Sequence, residues 1–174
     1  EMCIRDSAMP LHRRTLIAST AALAATATLG WLATRRTPAP ETRFTLLDGG
    51  TLDTAALHGR VTLVNFWATT CVTCVGEMPQ MIQTYRTYRD RGLELLAVAM
   101  AYDPPEQVRR FVQTRQLPFL VGLDGSGEAA RQWGDVQATP TTYLLDRQGR
   151  IDQRYVGAPD FAQLHTRIDT LLAA

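Results

Sequence analysis

The stretch that most constrains this chain is "RVTLVNFWA", Arg60 to Ala68. After its leading arginine it carries no charge. It is rich in β-branched and aromatic residues, which predicts a buried central strand. Two cysteines follow at once, in "TTCVTCVGEMP", three residues apart at Cys71 and Cys74. The next residues, "EMPQMIQTYRTYRDRG", place Met78, Met81, Ile82, Tyr85 and Tyr88 at helical spacings, and Gly92 is a natural stop. A strand therefore runs into a helix, and the cysteines sit at the junction.

Further downstream, "LELLAVAM" reads as a second buried strand and "DPPEQVRRFVQTRQ" as a helix with Asp103 as its N-cap. "PFLVGLD" reads as a short strand and "GSGEAARQWG" as a short helix closed by Gly134. "TTYLLDRQGRIDQRYVG" reads as a hairpin turning at Arg147-Gln148-Gly149, and "APDFAQLHTRIDTLLAA" as a terminal amphipathic helix. Upstream, "FTLLDGGTLDTAAL" suggests two short extended pieces around Asp48-Gly49-Gly50. Alternation of strands and helices predicts an α/β fold with a largely parallel sheet, its closing hairpin adding an antiparallel edge.

The chain has 174 residues and a formal net charge of +1. That suits one domain plus a tail and argues against a dedicated nucleic-acid binder. Residues 1–8 read as a mis-called or non-native start, with Met9 the better one. Residues 9–34 read as an export segment, in which Arg13 and Arg14 precede the uncharged run Thr15–Thr34. A cleaved signal with "ATA" at Ala25–Ala27, a retained membrane anchor, and a twin-arginine signal are all open for it. Residues 35–42 read as a linker and 43–174 as the domain. A periplasmic or extracytoplasmic location follows.

Cys71 is expected where helix N–H groups are unpaired and the dipole is positive, so its thiolate is stabilised. Cys74, nearly one turn on, can reach it. One thiolate attacks and the other resolves the mixed disulfide. A zinc site needs four ligands, but His12, His58 and His165 are isolated and there is no second CxxC. A copper chaperone of the thioredoxin-like type prefers wider cysteine spacing with a partner histidine. A peroxiredoxin-type peroxidase needs a threonine where Ala68 stands. A static disulfide in an inert binding domain is the remaining competitor.

"VTLVNFWATTCVTCVGEMP" together with "VQATPTTYLLDRQGRI" resembles the thioredoxin fold. More closely it resembles the TlpA/ResA-like family of exported, membrane-tethered thiol-disulfide reductases, which includes the cytochrome c maturation thioredoxins. The resemblance spans nearly all of residues 43–174. It implies a central mixed sheet flanked by helices, with an N-terminal β extension and a helix-strand insertion. It implies a cis Pro140 beside the cysteines, leaving the Thr139 backbone to pair with an extended substrate segment. It also implies a proton-transfer role for Glu77 in the pattern CxxCxxExP, because Asn65 stands where thioredoxins have a buried aspartate. Pro79 is expected to bend its helix.

Thr70 replaces the family's usual tryptophan before the first cysteine and removes an apolar patch from the docking surface. Trp67 is placed with Thr70, Thr139 and Pro140 among substrate-contact candidates, although its strand position also suits the core. The expected activity is reduction of disulfides in exported CxxC proteins, with Cys71 as nucleophile and Cys74 as resolving thiol. No metal or organic cofactor is implied, and a monomer is expected. The resemblance implies a membrane thiol donor of the CcdA or DsbD type, and apocytochrome c as the familiar oxidised substrate. Two alternatives stay open: a disulfide-forming oxidase or isomerase, and a non-enzymatic copper-handling module.

Overall fold

A computed structural model describes residues 36–174. The expectations for Met9, Cys3 and the export segment fall outside those residues. Strands are β1 (Arg43–Leu46), β2 (Thr51–Asp53), β3 (Val61–Trp67), β4 (Leu93–Ala99), β5 (Leu120–Leu123), β6 (Thr141–Leu145) and β7 (Ile151–Val156). Helices are α1 (Val72–Tyr88), α2 (Pro105–Arg115), α3 (Glu128–Gln132) and α4 (Phe161–Leu172). The strands form one sheet in the order β2-β1-β5-β4-β3-β6-β7.

Only β3 with β4 and β4 with β5 run parallel. The other neighbours are antiparallel. The sheet is thus mixed, not largely parallel as strand-helix alternation suggests. Alternation along the chain is silent about β1–β2, which returns to the far edge beside β5, and about β6, which pairs with β3 rather than extending the parallel set.

All seven residues of β3 are buried. Leu63 and Trp67 join Leu95, Ala97, Met78 and Ile168 on one face, while Val64 and Phe66 join Val98, Trp133 and Tyr143 on the other. Burying each large apolar side chain is worth about 1.5–3 kcal/mol, which holds both helical layers to the sheet. Helix α1 ends at Tyr88, followed by one 3-10 turn (Arg89–Arg91) and Gly92 at φ 105°. That left-handed conformation, which favours glycine, turns the chain into β4. In the β6–β7 turn, Gly149 (φ 71°) lies so close to His58 that a Cβ there would collide with the imidazole.

Two expectations need correction. Asp103 does not cap α2; Pro104 holds that position without a side-chain bond. The segment expected as linker lies against the domain. Ile151 N donates to Thr37 O at 2.7 Å and Ala39 N donates to Gly149 O at 2.9 Å. Arg36 pairs with Asp146 at 3.1 Å and with Asp152 at 2.9 Å. Arg167 grips the same inaccessible Asp152 carboxylate at 2.5 Å. Proline-rich composition signals an extended chain without saying whether anything packs against it.

Asp152→Ala leaves two arginines without their shared partner and is expected to destabilise the fold by about 2–4 kcal/mol. Arg36→Ala, which removes only the chain's entry contact, is expected to take away about 1 kcal/mol. Urea unfolding of both variants checks the order. Equal midpoints for Arg36→Ala and the parent would show that the Arg36 contact adds nothing.

Candidate active site

Strand β3 ends at Trp67, and the chain turns through Ala68–Thr70 before α1 begins. Cys71 is the N-cap of that helix, in extended backbone (φ −85°, ψ 109°), and its Sγ accepts the backbone N–H of Cys74 at 3.1 Å. A sulfur carrying negative charge there meets an otherwise unpaired N–H and the positive end of a 17-residue helix. The two cysteines form a disulfide with Cα atoms 5.2 Å apart. Cys71 is partly exposed and Cys74 fully buried. Of the two sulfurs, Cys71 alone is open to a macromolecular partner.

The Thr139–Pro140 bond is cis. Pro140 is buried, and the Thr139 carbonyl oxygen lies 3.4 Å from Cys71 Sγ. The Thr141 hydroxyl donates to Ala138 O at 2.7 Å, and Gly157 N donates to Pro140 O at 2.8 Å. These bonds pin the proline loop from both sides, so β6 delivers it to the cysteines. Thr70 is exposed beside Cys71. Trp67 is not at the surface. It is fully buried, and its ring packs at a tilt of 52° against Phe111 with the centroids 5.1 Å apart. Its place in the core removes it from the substrate-contact set.

Glu77 is buried, at 5% exposure. The reason is periodic: Cys74, Glu77, Met78, Met81, Thr84 and Tyr88 form the buried stripe of α1. A carboxyl in that stripe faces the sheet. There Asn65 donates through Nδ2 to Glu77 Oε1 at 3.1 Å and to Thr142 Oγ1 at 2.9 Å. Cross-strand pairing of Asn65 with Thr142 sets up the second bond. Neither Glu77 Oε2 nor Asn65 Oδ1 has a partner among the described residues. Burial therefore dominates and raises the Glu77 pKa from the ordinary 4.5 to about 7, against the opposing pull of the Asn65 bond. A carboxyl balanced near neutrality can take up or release a proton within the working pH range.

The loop after β4 supplies a contact that sequence reasoning missed. Asp103 is buried and accepts from Thr69 N at 2.6 Å and from the Thr69 hydroxyl at 2.5 Å. Gln107 Nε2 also donates to Thr69 Oγ1, at 2.8 Å. This clamp holds the turn that carries Cys71. The local signal, aspartate before two prolines, pointed to a helix cap instead. Asn65 was noted as a non-titrating replacement, and its bond to Glu77 becomes visible only once α1 lies over β3.

The raised Glu77 pKa carries a sign for stability. Below about pH 4.5 the group is protonated in folded and unfolded chains alike. Between 4.5 and about 7 the folded protein keeps a proton that the unfolded chain has lost, so stability falls as pH rises. The full loss, reached above about pH 7, is on the order of 3 kcal/mol. Glu77→Gln is expected to flatten that slope, and denaturant unfolding of the oxidised protein from pH 4 to 8 measures it. An identical slope in the variant would mean that Glu77 titrates as an exposed carboxylate does.

Comparison with known proteins agrees with this geometry. The Redoxin family model matches residues 34–168. The thiol-disulfide oxidoreductase ResA of Bacillus thuringiensis subsp. konkukian is 33% identical over 126 residues, 72% of each chain. A Neisseria meningitidis protein solved in solution is 40% identical, with a TM-score of 0.73, over 79% of this chain and 91% of its own. The crystal structure of a thiol:disulfide interchange protein of the thioredoxin family from Chlorobium tepidum is 27% identical, with a TM-score of 0.72, over 80% of this chain and 98% of its own. With a mixed sheet, a CxxC pair at a helix start and a cis proline beside it, the chain belongs to the Redoxin family, among the ResA/TlpA-like thioredoxin-fold thiol-disulfide oxidoreductases.

Proposed function

We propose that this protein is an extracytoplasmic reductant that opens disulfides in exported CxxC proteins. The observation that carries the reading is the pairing of an open Cys71 sulfur with a buried Glu77 carboxyl whose pKa is raised to about 7. In the reduced enzyme Cys71 attacks one sulfur of the substrate disulfide. That S–S bond breaks, a Cys71–substrate disulfide forms, and the other substrate sulfur leaves as a thiolate. Glu77 takes the proton from Cys74, whose thiolate then attacks Cys71 Sγ. The second substrate thiolate leaves, and two electrons have passed from the dithiol to the substrate. The oxidised pair described above is the end state of that turnover.

Return to the dithiol needs a donor. A membrane thiol carrier of the CcdA or DsbD type fits, because an oxidising compartment holds no reducing pool of its own. Apocytochrome c is the substrate that the family resemblance favours. The uncharged run Thr15–Thr34 supports export, as a signal or a retained anchor.

Equilibration of the protein against a dithiol buffer gives the reduction potential of the Cys71–Cys74 pair. A value near about −270 mV or lower is expected for a dedicated reductant. A value near about −120 mV would replace the reductase reading with disulfide formation. The roles within the pair are checked by trapping. Cys74→Ser is expected to accumulate mixed disulfides through Cys71, and equal trapping by Cys71→Ser would overturn the assignment.

A further inference from the structure

Two inaccessible carboxylates of this domain have cations. Asp146 and Asp152 are each held by two arginines. Asp103 is 4% exposed and has none. Among the described residues its side chain bonds only Thr69, through the backbone N–H and the hydroxyl. Both of its oxygens accept, which is the pattern of the ionised group. An asparagine would also satisfy Thr69 N, without burying a charge. The bonds alone do not require a carboxylate there.

That charge lies close to the attacking thiol. Cys71 N donates to Ala68 O at 3.2 Å, and that oxygen shares a planar peptide unit with Thr69 N, which Asp103 accepts at 2.6 Å. The carboxylate is therefore within about 8 Å of Cys71 N, about one Debye length at physiological salt. Both anions draw on the same helix end, whose unpaired N–H groups and positive dipole stabilise either of them. With both present, each disfavours the other. The other titratable groups around Cys71 are few. On α1 they are Cys74 and, beyond it, Glu77. Ala68–Gly76, Val136–Leu145 and Tyr155–Pro159 contain no Asp, Glu, Lys or Arg. On α2, Glu106 and Arg110 are exposed, and Glu106 pairs with Arg109. Asp124 follows β5, two strands from β3, and accepts Ala129 N and Ala130 N.

We propose that Asp103 is a positioning residue that sets the reducing power of the cysteine pair: its buried charge opposes the helix field at Cys71, disfavours the thiolate and makes the dithiol a stronger electron donor. A stabilised thiolate stabilises the reduced form and makes a pair more oxidising, and Asp103 acts in the opposite sense. The proposal rests on Cys71 being the exchanging thiol of the reductant described above. The shift assigned to Asp103 has the same sign whatever the absolute potential of the parent.

The test uses the full chain with Cys3→Ser. Asp103→Asn removes the charge and keeps an acceptor for Thr69 N. With Cys74→Ser added, Cys71 is the sole thiol. Its thiolate is read by alkylation with iodoacetamide across pH: the sulfur attacks the methylene carbon and iodide leaves with the bonding pair. Asp103→Asn is expected to move the midpoint of that profile down, giving about a three- to tenfold larger thiolate fraction at any pH below it. With Cys74 retained, the pair is equilibrated above that midpoint against a dithiol, which closes its own disulfide as the Cys71–Cys74 bond opens. The same fold-change in that equilibrium raises the potential of Asp103→Asn by about 15–30 mV.

Gln107→Lys leaves Asp103 in place and sets a cation beside the Thr69 hydroxyl that Asp103 accepts. It is expected to move both readouts in the same direction. An unchanged midpoint and potential in Asp103→Asn overturn the proposal, because a clamp without an electrostatic role survives in that variant. Should Asp103→Asn fail to fold, unchanged readouts in Gln107→Lys overturn it instead. So does a shift of opposite sign in either variant. The reductase reading fails separately, if the parent potential lies near about −120 mV while Asp103→Asn still raises it.

Discussion

All seven residues of β3 are buried, with β4 bonded along one edge and β6 along the other. Both edges are therefore satisfied by neighbours, and the strand cannot shift register without moving every apolar side chain to the wrong face. The place where β3 ends sets where Cys71 begins α1. The antiparallel partner β6 brings Pro140 to the same end, and the parallel partner β4 brings the loop of Asp103. Three segments distant in sequence thus converge on one sulfur because they neighbour one strand.

Beneath that sulfur, two forces oppose each other at Glu77. The helix periodicity that buries Met78 and Met81 buries the carboxyl as well, which favours its neutral form. The Asn65 amide favours the ionised form, but it shares its donor group with Thr142. One shared bond to a neutral amide does not match the loss of hydration, so the balance falls near neutrality. A full countercharge at position 65 would have held Glu77 ionised, and an aspartate there would have competed for the same proton. The amide leaves one group, not two, to titrate under the cysteines.

How far this was legible in the sequence depends on the range of each interaction. Cys71, Cys74, Gly92 and the buried stripe of α1 could be read because each is a local pattern. The cis Pro140 could be read through resemblance, since its neighbour Cys71 is 68 positions from Thr139. Asp103 was misread because a nearby helix start offered a plausible local use, whereas the actual partner Thr69 is 34 positions away. Trp67 was ambiguous because adjacent strand positions point to opposite faces, and only its ring contact with Phe111 on α2 decides.

The contacts of Arg36 have a geometrical consequence. They lie at Asp146 and Asp152, beyond the end of β6 that is remote from Pro140. The five residues of β6 separate the two ends by roughly 17 Å. The chain enters the domain at one pole and exchanges electrons at the other. The ion pairs at the entry and the bonds that place Cys71 share no residue, so a change of side chain at one pole leaves the contacts of the other in place.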